Sequence, residues 1–121
     1  MAKIYHLRRK STTALRQRRD WLLVSLKLPP DLLRASFVER FTTCGKPNCC
    51  CERGQRHGPF YYLAAGLKPG QVRKFLLKSP EQQALARHGV AAYQAFWEGM
   101  EELSQINGEL LRRNETLLPP A

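Results

Sequence analysis

The chain has 121 residues, with 20 Lys and Arg against 10 Asp and Glu and a formal net charge of +10. That length holds one small domain, or a smaller one with helical arms. No run approaches the roughly 18 consecutive apolar residues of a membrane-spanning helix, and the cysteine clustering described below is not the pattern of scattered core cysteines.

The charge is unevenly placed. Residues 1–35 carry nine Lys and Arg against two Asp, residues 36–78 eight against two Glu, and residues 79–121 three against six Glu. The positive field therefore belongs to the first two thirds. Such a field favours a polyanion through counterion release, and it also suits an acidic protein or acidic lipid. Met1-Ala2-Lys3-Ile4-Tyr5-His6 lacks the apolar core and small-residue cleavage site of a signal peptide, so a cytoplasmic location is expected. Three segments follow: a basic arm and helix (1–30), a cysteine knuckle and sheet (31–79), and an amphipathic helix with a tail (80–121).

Residues 1–11 are basic and aperiodic and are expected to be flexible. A helix then starts at Ser11 or Thr12, one hydroxyl acting as its cap. Leu15, Leu22 and Leu26, with Trp21 nearby, trace one face. Arg16, Arg18 and Arg19 lie around the other sides, as a solvated face or as phosphate contacts. Contiguous Trp21, Leu22, Leu23 and Val24 also allow a membrane-surface helix, although packing on the rest of the chain is simpler. Leu28-Pro29-Pro30 ends the helix. One more turn is expected over Asp31–Ala35, then a strand with Phe37, Glu39 and Phe41 on one side and Val38, Arg40 and Thr42 on the other.

The strand leads into Cys44-Gly45-Lys46-Pro47-Asn48-Cys49-Cys50-Cys51, which holds all 4 cysteines of the chain. Side chains alternate in an extended segment, so Cys49 and Cys51 face one point while Cys50 faces away. Cys44 returns to that point across the Gly-Lys-Pro-Asn turn, and His57 closes the set. Cys44, Cys49, Cys51 and His57 thus make the expected ligands of a structural Zn2+. A redox or disulfide role and plain packing are the other readings; vicinal pairing strains the backbone, which favours reduced thiols.

Together with His57-Gly58-Pro59-Phe60-Tyr61-Tyr62-Leu63, this stretch resembles a family of small bacterial, archaeal and phage-borne proteins. Its pattern is C-G-K-P-x-C-x-C, then H-G-P-[YF]-Y-Y-L, a basic strand and a long helix. The resemblance runs from about Leu33 to Leu111. It implies no activity, and a mobile-element or phage accessory protein is the context it suggests. The family commonly has Arg where this chain has Cys50.

Phe60–Ala65 reads as a second strand, Gly66–Gly70 as a turn, and Gln71–Lys78 as a third strand with Val72, Lys74 and Leu76 opposite Arg73, Phe75 and Leu77. Tyr61 and Tyr62 take opposite faces. One belongs to the core, and the other covers a cross-strand neighbour or sits over a base or sugar. Ser79-Pro80-Glu81 starts a helix that runs to about Asn114, with Gly89 or Gly99 as places for a break. Ala92, Phe96, Gly99 or Met100, Leu103, Ile106 and Leu110 form an apolar stripe, either a coiled-coil seam or one stripe packing on the sheet and the first helix. At about 1.5 Å per residue the helix outreaches a three-stranded sheet. Either it breaks, or its distal part pairs with the first helix or with a second copy, giving a homodimer through 92–110.

The expected fold is α+β, a three-stranded antiparallel sheet with a zinc-knuckle-like connection and two helices. Asp20 and Asp31 are the only aspartates, His6, His57 and His88 are isolated, and no glycine-rich phosphate loop exists, so no catalysis is expected. A nucleic-acid partner, first double-stranded DNA, is expected instead. Arg16 and Arg19 of the first helix, Arg40 of the first strand, and Lys46, Arg53 and Arg56 around the knuckle would make the contacts. Tyr62, Lys68, Arg73 and Lys74 would extend them. The competing expectation is a zinc-stabilised protein-interaction module whose basic half meets an acidic protein.

Overall fold

The chain order is α1 (Thr12–Ser25), β1 (Ser36–Thr42), β2 (His57–Lys68), β3 (Gln71–Leu76) and α2 (Pro80–Arg112). The structure, a computed structural model, describes residues 3–43 and 56–118. Two compact units result, Met1–Pro30 with Tyr93–Ala121, and Asp31–Ala92. Among the described residues no helix is long and apolar enough to cross a membrane.

In the helical unit, the Ser11 hydroxyl accepts from the Ala14 amide at 3.1 Å, which caps α1. Leu15 and Leu22, two helical turns apart, are buried against Leu7, Ile106 and Leu110, with Tyr5, Leu26, Leu103 and Leu117 at the margin. Part of the apolar stripe of α2 is thus covered inside the chain. Trp21 points outward instead, 56 % exposed, with the Arg18 guanidinium stacked 4.3 Å from its ring centroid.

Residues 3–10, expected to be flexible, are tied to α2. The Tyr5 amide donates to Gln105 Oε1 at 2.9 Å, and Gln105 Nε2 donates to the Lys3 carbonyl at 2.7 Å. Arg113 donates to the carbonyls of Leu7, Arg8 and Lys10 and to the Thr12 hydroxyl, at 3.2, 3.2, 2.7 and 3.2 Å. A basic, aperiodic segment is ordered because one guanidinium satisfies carbonyls that no regular element would.

In the sheet unit the strands lie in the order β1-β2-β3, all antiparallel. Leu63, Leu77 and Ala86 form its core, bordered by Leu33, Ala35, Phe37, Tyr61 and Val90. β2 begins at His57, so Gly58-Pro59 lies inside the strand and not before it. Gly58 has φ +131, and an added Cβ would stand 2.9 Å from the Arg40 carbonyl oxygen, beside the register shift between Arg40 and Thr42. Pro69-Gly70, with Gly70 at φ +79, makes a tighter turn than the expected Gly66–Gly70. Asp31–Ala35 forms no helical turn. Its chain runs beside α2 instead, where the Leu33 amide donates to the Gly89 carbonyl at 3.1 Å.

The same approach of chain to helix explains why α2 is unbroken at Gly89. The Ser79 hydroxyl accepts from the Gln82 amide at 3.1 Å, the Gln82 side chain accepts from the Lys78 amide at 2.8 Å, and the helix then runs 33 residues. Gly89 is not a breaker but a gap that lets the 31–33 segment approach.

The α+β class, the antiparallel three-stranded sheet and the two helices agree with the sequence. The zinc-knuckle connection and the structural Zn2+ are corrected. Among the described residues no group of three or more His, Cys, Asp or Glu is placed to hold a metal. Cys44, Cys49 and Cys51 lie outside the described residues, and His57 is taken into the β-ladder opposite Thr42.

Two glycines of α2 should respond oppositely to alanine. A Cβ at Gly89 would meet the Asp31 carbonyl oxygen at 2.5 Å and Leu33 Cδ1 at 2.7 Å, whereas nothing lies within 4 Å of one at Gly108. In urea unfolding, Gly89→Ala is expected to destabilise by about 1–3 kcal/mol despite alanine's helix preference, and Gly108→Ala to stabilise by up to about 1 kcal/mol.

Candidate nucleic-acid interface

Alternation along β2 sends Tyr61, Leu63 and Ala65 to one side of the sheet and Phe60, Tyr62 and Ala64 to the other. The first side is the packed one. Tyr61 and Phe37 lie 5.3 Å apart at their ring centroids, and Arg87 of α2 stands over both rings, at 4.3 Å from Phe37 and 5.5 Å from Tyr61. Tyr61 is therefore the core tyrosine.

The second side is the more exposed one, with Val38, Tyr62 and Ala64 half-buried at its centre. Its cross-strand rows are Val38, Tyr62 and Leu76; Ser36, Ala64 and Lys74; and, over two strands, Arg40 with Phe60 and Gly66 with Val72. Phe60, Arg40, Val72, Lys74 and Leu76 are all exposed. A shallow depression of about 250 Å³ is lined by Val38, Arg40, Tyr62, Ala64, Lys74 and Leu76, with Phe75 at its edge. The Arg40 guanidinium stands 6.0 Å from the Tyr62 ring centroid.

No carboxylate occupies these rows. Asp31–Ala92 holds ten Lys and Arg against four Asp and Glu, a net +6. Among the described carboxylates of this unit, Glu39 faces the packed side, opposite Tyr61. Glu81 sits in the first turn of α2. Asp31 is bonded to His88 Nδ1, a hydrogen bond that holds its carboxyl below the usual range. Among the described residues the rows of this side hold Phe60 and Tyr62 with Arg40 and Lys74, and no carboxylate.

Of the residues expected to contact nucleic acid, the structure brings Arg40, Tyr62 and Lys74 together. Arg73 falls on the opposite side of β3, exposed, because adjacent residues of a strand diverge. Lys68 ends β2 and the exposed Arg56 precedes it. Lys46 and Arg53 lie outside the described residues. Arg16 and Arg19 belong to the helical unit and are engaged there. Arg16 donates to Glu115 and to the Thr116 carbonyl, both at 3.1 Å, and Arg19 donates to the Leu117 carbonyl. Phe60 was not among the expected residues, although its spacing of two from Tyr62 places it on the same side.

A larger hollow of about 460 Å³ in the helical unit is bordered by Tyr5, His6, Leu7, Arg8, Arg9, Gln105 and Glu109. It carries a carboxylate already bound by two arginines, Glu109 with Arg112 at 2.7 Å and Arg113 at 3.0 Å. It does not match the second sheet side as an anion surface.

Residues 12–69 are similar to a family described as Domain of unknown function (DUF6788). The matched stretch takes in α1, β1 and β2, including Arg40, Phe60 and Tyr62, and stops short of Lys74. No curated protein and no solved structure matches the chain.

The arginines engaged inside the helical unit should make it acid-sensitive. The hydrogen bond from Arg112, followed by that from Arg113, lowers the Glu109 pKa from 4.5 to about 2, and Arg18, at 2.6 and 2.9 Å, lowers that of Glu102. Carboxylates depressed on folding add stability above their unfolded pKa, and that stability disappears as pH falls through the folded value. Thermal melts should therefore show stability falling between pH 4.5 and about 2, with a shallower fall in the Glu102→Gln, Glu109→Gln double variant.

Proposed function

We propose that the chain binds nucleic acid through the second side of its sheet, the one that carries Tyr62. The observation that carries this reading is the position of Tyr62 on the central strand, with Arg40 on β1 and Lys74 on β3 to either side and no carboxylate in the rows between them. Cations flanking an aromatic ring match a ligand that presents phosphates and π faces together. An acidic protein would use the cations and leave the ring unexplained. Exposure of Phe60, Val72 and Leu76 around Tyr62 supports the same ligand, because bases cover apolar surface while phosphates meet the flanking charge.

The arginines of α1 have a smaller part in this reading. Arg16, Arg18 and Arg19 each hold a partner in the helical unit, so part of the donor capacity of each guanidinium is already committed there. Ile106 and Leu110, the most deeply buried part of the α2 stripe, are likewise committed within the chain.

Fluorescence anisotropy with labelled oligonucleotides between ~50 and ~200 mM salt tests the reading, since affinity should fall steeply over that range. Arg40→Ala with Lys74→Ala should weaken binding and reduce the salt slope by about 1 for each phosphate no longer neutralised. Arg73→Ala, on the other side of β3, should change it less. Equal affinity of the double variant and the parent protein, or no binding by the parent, would overturn the proposal.

A further inference from the structure

We infer that the nucleic acid held on this surface is an unpaired strand, with two successive bases stacked on Phe60 and Tyr62. The inference rests on the sheet-face reading and goes beyond it by naming the state of the ligand. Phe60 and Tyr62 stand on the same side of β2, separated by one residue, with Phe60 exposed and Tyr62 half-buried. Residues so related lie roughly 6.8 Å apart along a strand, about twice the ~3.4 Å rise between stacked bases of a duplex. Adjacent bases of a duplex cannot seat on both rings. A strand drawn out to about twice the stacked spacing can.

The faces of duplex bases are also already occupied by their neighbours, so only groove edges and phosphates are presented to a protein. Against such a surface the two rings would have no π partner. Splayed bases of a single strand supply one, and any base suffices because each has a π face.

The cations fit the same track. Arg40 is level with Phe60 on the β1 side, and Lys74 is level with Ala64 on the β3 side, so they lie on opposite flanks and on opposite sides of Tyr62 along β2. A backbone following β2 passes a positive charge on each flank within the span of five strand residues, Phe60 to Ala64. A carboxylate anywhere along that track would oppose it, and the rows hold none. DNA and RNA strands share this chemistry, and both enter the test.

The experiment compares a ten-nucleotide oligothymidylate, an oligouridylate of equal length, an abasic oligomer of equal length and a duplex, each labelled, by anisotropy on the full chain. The two base-bearing strands should bind more tightly than the abasic oligomer and the duplex. Phe60→Ala and Tyr62→Ala should each weaken the base-bearing strands about tenfold, the size of one base stack. The same variants should leave the abasic oligomer unchanged, and Tyr62→Phe, which keeps the ring, should retain parental affinity. If the abasic oligomer or the duplex bound as tightly as the base-bearing strands, or if both alanine variants bound as the parent does, the unpaired-strand inference would fail. The sheet-face reading would survive that failure provided Arg40→Ala with Lys74→Ala still weakened binding. Absence of binding to all four ligands would overturn both.

Discussion

Burial of Leu63 sets the parity of the sheet. Packed with Leu77 and Ala86, it commits every second residue of β2 to the covered side, and a slip of one residue would turn the whole strand over. Tyr61 goes under α2 with Phe37 and Arg87, and Phe60, Tyr62 and Ala64 are left facing outward. The cross-strand ladder then carries Arg40 and Lys74 to the same side as Tyr62, although the three residues are far apart in sequence. The surface composition is a consequence of one apolar cluster, and the cation pattern follows from the register it fixes.

The same chain allocates its many arginines to two kinds of work. Arg18 pairs with Glu102, Arg16 with Glu115, and Arg113 gathers the carbonyls of residues 7, 8 and 10. Those guanidiniums stabilise the helical unit by satisfying carboxylates and main-chain acceptors that the core does not reach. Arg40, Lys74 and Arg73 enter none of the ion pairs found among the described residues. Net charge therefore overstates the part of the positive surface that is open to a polyanion. What matters is which cations lack an internal acceptor.

Much of the fold was legible in local pattern. Ser11 and Ser79 marked helix starts, Pro29-Pro30 bounded the first helix, and alternation located three strands because turn residues punctuate them. Gly89 was ambiguous, since a glycine in a helix reads as a weak point until its neighbour is known; here the neighbour is the backbone of Asp31 and the side chain of Leu33. The order of residues 3–10 was not legible, because it comes from Arg113, over a hundred residues away. Alternation separated Arg73 from Lys74 and Tyr61 from Tyr62, yet it did not say which tyrosine is covered. That choice depends on where α2 packs. Ligand-type spacing suggested zinc, but among the described residues no group of His, Cys, Asp or Glu is placed to hold a metal, and Cys44, Cys49 and Cys51 lie outside those residues.

Backbone and aromatic-ring NMR during titration with a short oligothymidylate tests the central claim most directly. Stacking on the side that carries Tyr62 predicts upfield shifts of the Phe60 and Tyr62 ring protons, with amide changes at Val38, Arg40, Tyr62, Ala64 and Lys74 and little change at Tyr61 or along α1. Saturable changes confined to α1, or to the side carrying Tyr61 and Arg73, would contradict it.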